Sequence, residues 1–288
     1  MMRSNQTDAA EIIPDTSSRI GPRAQLAQAD LSNQDLSGKD FYKANLAGAI
    51  LIGANLTNAE LIGANLSATN LAGANLQNAD LRGVSLNRAN LTGADLTGAS
   101  LFRSDLQGAV LTGTTLTGAQ LKLALYDSHT QWPEGFRYKS CGAVGPGAAL
   151  NGAYLNTANL KGADLTGAML LGAYLSGVNL AGANLSGAGL AGANLQKAFL
   201  TGANLQGASL AGAELQHCDL RATDLTDVDM TGVGSILGAD FSGAVGLDEA
   251  ERSKLLSHTA SELNEWNAFT RKTTLQSLEC VSLDIDQS

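Results

Sequence analysis

The side chains best suited to chemistry in this 288-residue chain are few and scattered. Its histidines are His129, His217 and His258, and its cysteines are Cys141, Cys218 and Cys280. An activated nucleophile needs a base within reach and a third group that orients the base. No histidine here stands near a Ser, Cys or carboxylate at the spacing of a recognised catalytic motif. Zinc sites use paired thiolates or imidazoles, and no CxxC pair occurs. Cys141 with His129 lacks a third ligand nearby in sequence. The 33 glycines never assemble into the GxxxxGK(S/T) loop that cradles phosphate. These residues point away from an enzyme and predict no catalytic site, no metal site and no cofactor.

Composition narrows the partners. The net charge of −9 argues against a general nucleic-acid binder, which needs a basic footprint, and leaves room for a protein partner with a basic surface. Three scattered cysteines make no disulfide framework, so a cytoplasmic, reducing compartment is the expectation. Residues 1–22 are polar, with no apolar core of a signal peptide, and read as a disordered lead-in. No run approaches the ~18 apolar residues of a membrane span.

Function must then rest on the element that the sequence repeats. From Leu26 to Leu121 every fifth residue is Leu, except Phe41. From Leu150 to Met230 the rule returns in a new phase, and Ile236 and Phe241 extend it after a one-residue slip. Calling the Leu position i, position i−2 is Ala in 27 of 37 repeats. Position i−1 is usually Asn or Asp, and position i+2 usually Gly. A period of five fits neither a helix nor a simple strand, so a turn must come every five residues. Residues i−2 and i lie on one side of a short extended segment and face inward. Gly at i+2 suits a sharp corner. Four such sides close a square coil of about 20 residues, and coils stack at about 4.8 Å. The expected fold is an all-β, quadrilateral parallel β-helix with a Leu and Ala core.

Runs such as Ala54-Asn55-Leu56, Ala64-Asn65-Leu66 and Ala183-Asn184-Leu185 resemble the pentapeptide-repeat family, over roughly residues 24–241. The resemblance implies a right-handed solenoid. It says little about function, because the family hosts unrelated roles. The segment around Asp127, Trp132-Pro133 and Phe136 resembles pentapeptide-repeat proteins of cyanobacteria.

The chain divides into the lead-in 1–22, a first block 23–121, an inserted loop 122–147, a second block 148–245 and a helical tail 246–288. The loop either tucks Trp132 and Phe136 against the coil wall or acts as a recognition loop. Gln34 and Lys39 occupy inward i−2 positions near the N-terminal end and read as protection of an open edge. The tail predicts one helix over 248–258. It predicts a second opened by Thr259 and Glu262 as a capping box, with Leu263, Trp266 and Phe269 as its apolar stripe. It could cap the coil or mediate homodimerisation.

Residues 20 apart share a face, so surface columns can be read directly. One i+1 column reads Tyr42, Ile62, Arg82, Phe102 and Lys122, with Lys43 and Arg103 beside it. Bulky apolar and Arg side chains are what an interface centre uses. The alternative is that they shield the wall or support the loop and tail. Tyr154 and Tyr174 stack on an outward face of the second block, with Met169 and Leu171 on the preceding one. The residues thus predict a non-enzymatic scaffold or regulatory module that binds an unknown protein. The alternative is a DNA mimic that binds or protects a type II topoisomerase (gyrase), as some relatives do. Block charge weighs against it: residues 24–121 carry seven acids and five bases, and residues 148–241 seven and three. Duplex DNA carries about one charge per 1.7 Å.

Overall fold

The computed structural model describes residues 20–279; most of the lead-in and the last residues 280–288, with Cys280, lie outside the described residues. Each i−1 residue pairs in parallel with the residue one coil on: Gln25 with Asn45, Asn45 with Asn65, Asn65 with Ser85. The amide of Leu46 donates to Asn65 O at 2.7 Å, and the amide of Asn65 donates to Ala44 O at 2.8 Å. The same exchange recurs on four faces, led by Leu26, Leu31, Leu36 and Phe41.

Three local devices make the corner. The amide of Ala49 closes a turn on Leu46 O at 2.9 Å. The third residue of each such turn is left-handed, as at Gly63 (φ +65°), where an L side chain is disfavoured. The Asn or Asp at i−1 then accepts from the amide at i+1, as Asn65 Oδ1 does from Ser67 N at 3.0 Å. This side chain–backbone turn is the physical reason for Asn and Asp at that position.

Inside, Leu side chains from Leu46 to Leu111 are fully buried with Ala between them. Where a buried i−2 residue is polar, it bonds a backbone carbonyl, whereas Gln34 and Lys39 near the N-terminal end are exposed. Thr69 Oγ1 donates to Leu46 O at 2.9 Å, and Thr114 Oγ1 to Leu91 O at 2.8 Å. Cys218 Sγ likewise donates to Leu195 O at 2.8 Å.

Residues 122–147 are tied to both blocks. Val110 pairs with Gln131 on the second face and Leu125 with Val144 on the first, within the segment, while Gly147 N donates to Thr166 O at 2.8 Å and Ala149 N to Lys139 O at 2.7 Å on the second-block side. On the third and fourth faces the pairing stops at Thr115 and Gln120, and the four ladders of the second block begin anew at Ala149, Tyr154, Asn159 and Asp164. Tyr126 and Ala124 continue the buried core, and the Tyr126 hydroxyl donates to Pro146 O at 2.9 Å. A Cβ on Gly145 would sit 2.6 Å from Tyr126 O, so only glycine fits there.

The second block ends with a 21-residue step, Asp219 to Asp240, which absorbs the slip before Ile236. The tail holds α1 (Glu249–Leu256), α2 (Ala260–Leu263), a hairpin of β1 (Trp266–Asn267) and β2 (Lys272–Thr273), and α3 (Thr274–Glu279). Asp248 caps α1 and Thr259 caps α2 through their side chains. The expected second helix is cut short at Leu263. Buried Asn267 donates its side-chain amide to Gly238 O at 2.7 Å and accepts from Phe269 N at 2.9 Å. These tertiary bonds override the helical period, leaving Trp266 and Phe269 exposed. Thr274 Oγ1 donates to Ile236 O at 3.1 Å and Ser277 Oγ accepts from Phe241 N at 3.1 Å, so the tail bonds the last coil directly.

Candidate protein-binding surface

The ladder brings the column of Tyr42, Ile62, Arg82, Phe102 and Lys122 onto one corner. Successive amides link it: Lys43 N to Ile62 O, Gly63 N to Arg82 O, Gly83 N to Phe102 O and Arg103 N to Lys122 O. Much of its polarity is satisfied within the column. Arg82 grips the Asp80 carboxylate through Nε and Nη2, and this bond holds Asp80 below the usual carboxylate range. Lys43 lies over Tyr42 and Arg103 over Phe102, each 5.1 Å from the ring centre. Ile62 and Phe102 are half-buried.

Trp132 and Phe136 turn inward. Trp132 stacks on Tyr138 at 5.3 Å and on Phe136 at 5.5 Å, and meets the Tyr126 ring edge-on. These aromatics pack against the Leu core.

Tyr154 and Tyr174 do the opposite. Their rings are parallel, 4.6 Å apart, and 68% and 43% exposed. Neither hydroxyl has a partner among the described residues. Met169 and Leu171, 47% and 58% exposed, flank them on the same two coils. Tyr154 and Lys122 line one crevice of about 380 Å³ with Leu123, Cys141 and Leu150. The corner column and the tyrosine pair therefore meet at the break between the blocks. Sequence columns did not single out Ile50 and Ile52, 37% and 42% exposed. Their signal was Ile at the i−1 and i+1 positions, where polar residues are the rule.

No group of three or more His, Cys, Asp or Glu among the described residues is placed to hold a metal. Burial pushes the Cys218 thiol up to about 12, which leaves it protonated. The late acids are engaged locally: Asp219 pairs with Arg221 at 2.8 Å and accepts from Thr201, and Glu214 accepts from Gln216. No helix of the described residues is long and apolar enough to cross a membrane.

A family model described as pentapeptide repeats matches in eight copies within residues 24–124 and 147–245. The chain belongs to the pentapeptide-repeat family. Among solved pentapeptide-repeat structures it is similar to HetL of the cyanobacterium Nostoc sp. strain PCC 7120, a protein involved in heterocyst differentiation regulation. The identity is 30%, covering 83% of this chain and 97% of HetL, with a TM-score of 0.39. It is similar to Rfr23 of the cyanobacterium Cyanothece 51142 at 42% identity over 32% of this chain and 63% of that one, with a TM-score of 0.32. QnrB1, a plasmid-mediated fluoroquinolone resistance protein, aligns at 19% identity over 79% of this chain and 92% of its own, with a TM-score of 0.25. No curated protein matches the chain.

Proposed function

We propose that this pentapeptide-repeat protein is a rigid, non-enzymatic scaffold that binds a protein partner through the surface around Tyr154 and Tyr174. The observation that carries this reading is the exposure of four large apolar side chains, Tyr154, Met169, Leu171 and Tyr174, on adjoining coils. A contiguous exposed apolar patch on an otherwise polar wall is the usual mark of an interface. Tyrosines supply large contact area at low entropic cost. The coil, taken as right-handed in line with the family, holds the patch without rearrangement. Cytoplasmic placement fits the free thiols of Cys141 and Cys218.

The topoisomerase-mimic reading draws less support, because the second block carries seven acids against three bases and two of those acids, Glu214 and Asp219, are bonded to neighbours on their own wall. A gyrase supercoiling assay with neither inhibition nor protection at micromolar protein would end it.

The test is affinity capture with the intact protein beside a Met169→Ser, Leu171→Ser, Tyr174→Ser variant, and a second variant with Tyr42, Ile62 and Phe102 changed to Ser. A partner retained by the wild type and lost with the first variant is the expected result. Equal capture by all three proteins rejects the reading.

A further inference from the structure

Each end of a β-solenoid presents unpaired backbone, and natural sheets guard such edges. The N-terminal coil here carries polar Gln34 and Lys39, both exposed, where the repeat otherwise places a small residue, and the C-terminal coil is bonded by the tail. At the break between the blocks the aromatics of the inserted segment pack against the core, yet part of the backbone edge stays unpaired. On its second-block side the inward residues are Ala153 and Ala158. One coil further on, Tyr174 N donates to Ala153 O and Asn179 N to Ala158 O, each at 2.9 Å. The corresponding amides of Tyr154 and Asn159 have no acceptor among the described residues, and the carbonyls of Tyr154, Asn156, Asn159 and Lys161 have no donor. On the first-block side, the amides of Leu116, Gly118 and Leu121 likewise have no acceptor among the described residues.

A crevice of about 360 Å³ lies against this edge, lined by Arg103, Leu123, Leu125 and the run Thr157–Leu160. Three of its lining residues, Arg103, Leu123 and Thr157, sit in left-handed corners with φ of +57°, +63° and +56°. Gly is the ordinary occupant of that position, and a β-branched Thr there is an outlier. The cations of the two crevices, Arg103 and Lys122, have no carboxylate partner among the described residues, although the chain as a whole is acidic.

We propose that this unpaired edge binds a short extended peptide segment of a partner protein by backbone pairing along one side of the coil, with alternating apolar and acidic side chains. The apolar side chains would lie against Leu123, Leu125, Ala158 and Leu160, and the acidic ones would meet Arg103 and Lys122. Backbone pairing gives such a complex its affinity and the alternating side chains its specificity. The proposal deepens the scaffold reading and rests on it.

The probe is a fluorescent ten-residue peptide alternating Leu or Val with Glu, titrated by anisotropy into the intact protein. The expected result is saturable binding, at least tenfold weaker for Arg103→Glu, Lys122→Glu and lost when alternate peptide amides are N-methylated. A Lys-substituted peptide should bind at least tenfold more weakly than the Glu form. Circular dichroism of the charge variant, with both changes at exposed positions, checks that the coil is intact. No saturable binding of the Glu peptide, equal binding of the N-methylated peptide, or indifference to charge reversal would overturn the proposal. So would a self-association in sedimentation that the charge variant abolishes, since a second copy would then occupy the edge. Loss of partner capture by the Met169, Leu171, Tyr174 variant with no peptide binding leaves the scaffold reading standing and removes this one.

Discussion

At Ala68 the backbone is left-handed, with φ +54°, a conformation that costs an L-residue roughly 1–2 kcal/mol. Glycine loses part of that advantage to chain entropy. Ala68→Gly should therefore raise stability by about 0.5–1 kcal/mol, read as a shift in the urea midpoint at constant m-value. In the core, Leu86→Ala removes a fully buried side chain from a stack with no slack, and a loss of about 2–5 kcal/mol is expected. Asp105 gives a sign that can be checked with pH. Burial raises its carboxyl above the usual value, with nearby Asp127 adding to the effect, although Gln107 N donates to it. A raised carboxyl opposes folding once it must ionise. Asp105→Asn keeps the acceptor and should raise Tm at pH 7. The gain should shrink as pH falls through the Asp105 folded value and vanish where the carboxyl is protonated in both states.

The five-residue element was legible almost completely. The period of Leu26 to Leu121 and the small residue two before each Leu gave the coil, its inward face and its corner glycines. The Asn and Asp positions were read only as outward; their bond to the next amide needs coordinates. The tail was legible as far as its caps, Asp248 and Thr259, because capping is local chemistry. It failed at Trp266 and Phe269, because Asn267 reaches back to Gly238 O, a contact that no local pattern contains. That bond carries its own expectation. Asn267→Ala leaves a buried carbonyl unpaired and should cost about 1–3 kcal/mol, measured by thermal or chemical unfolding. The candidate columns were readable because position modulo 20 is a face. Their burial was not, so Ile62 and Phe102 looked freer in sequence than they are.

Across the whole molecule, the segment 122–147 is the feature that the period could not describe. It pairs with the first block on the first and second faces, meets the second block through the amides of Gly147 and Ala149, and leaves the third and fourth faces open. Solenoids gain stability from nearest-neighbour contacts, so an interrupted interface is a local weak point. Amide exchange should show it: Leu116, Leu121, Tyr154 and Asn159 should exchange rapidly, while Leu46 and Leu185, paired at 2.7 Å on intact ladders, stay protected. The same break gathers Lys122, Tyr154 and the crevices, so the proposed binding surface lies where the repeat is least regular.

The central claim is that this surface binds a protein. Its most direct measurement is a calorimetric titration of the captured partner into three proteins: the wild type, the Met169→Ser, Leu171→Ser, Tyr174→Ser variant, and a control with Thr201→Ala on another face. The account predicts equal Kd for the wild type and the control and at least a hundredfold weaker binding for the patch variant, with its far-ultraviolet circular dichroism unchanged. Equal affinity for all three proteins would contradict it.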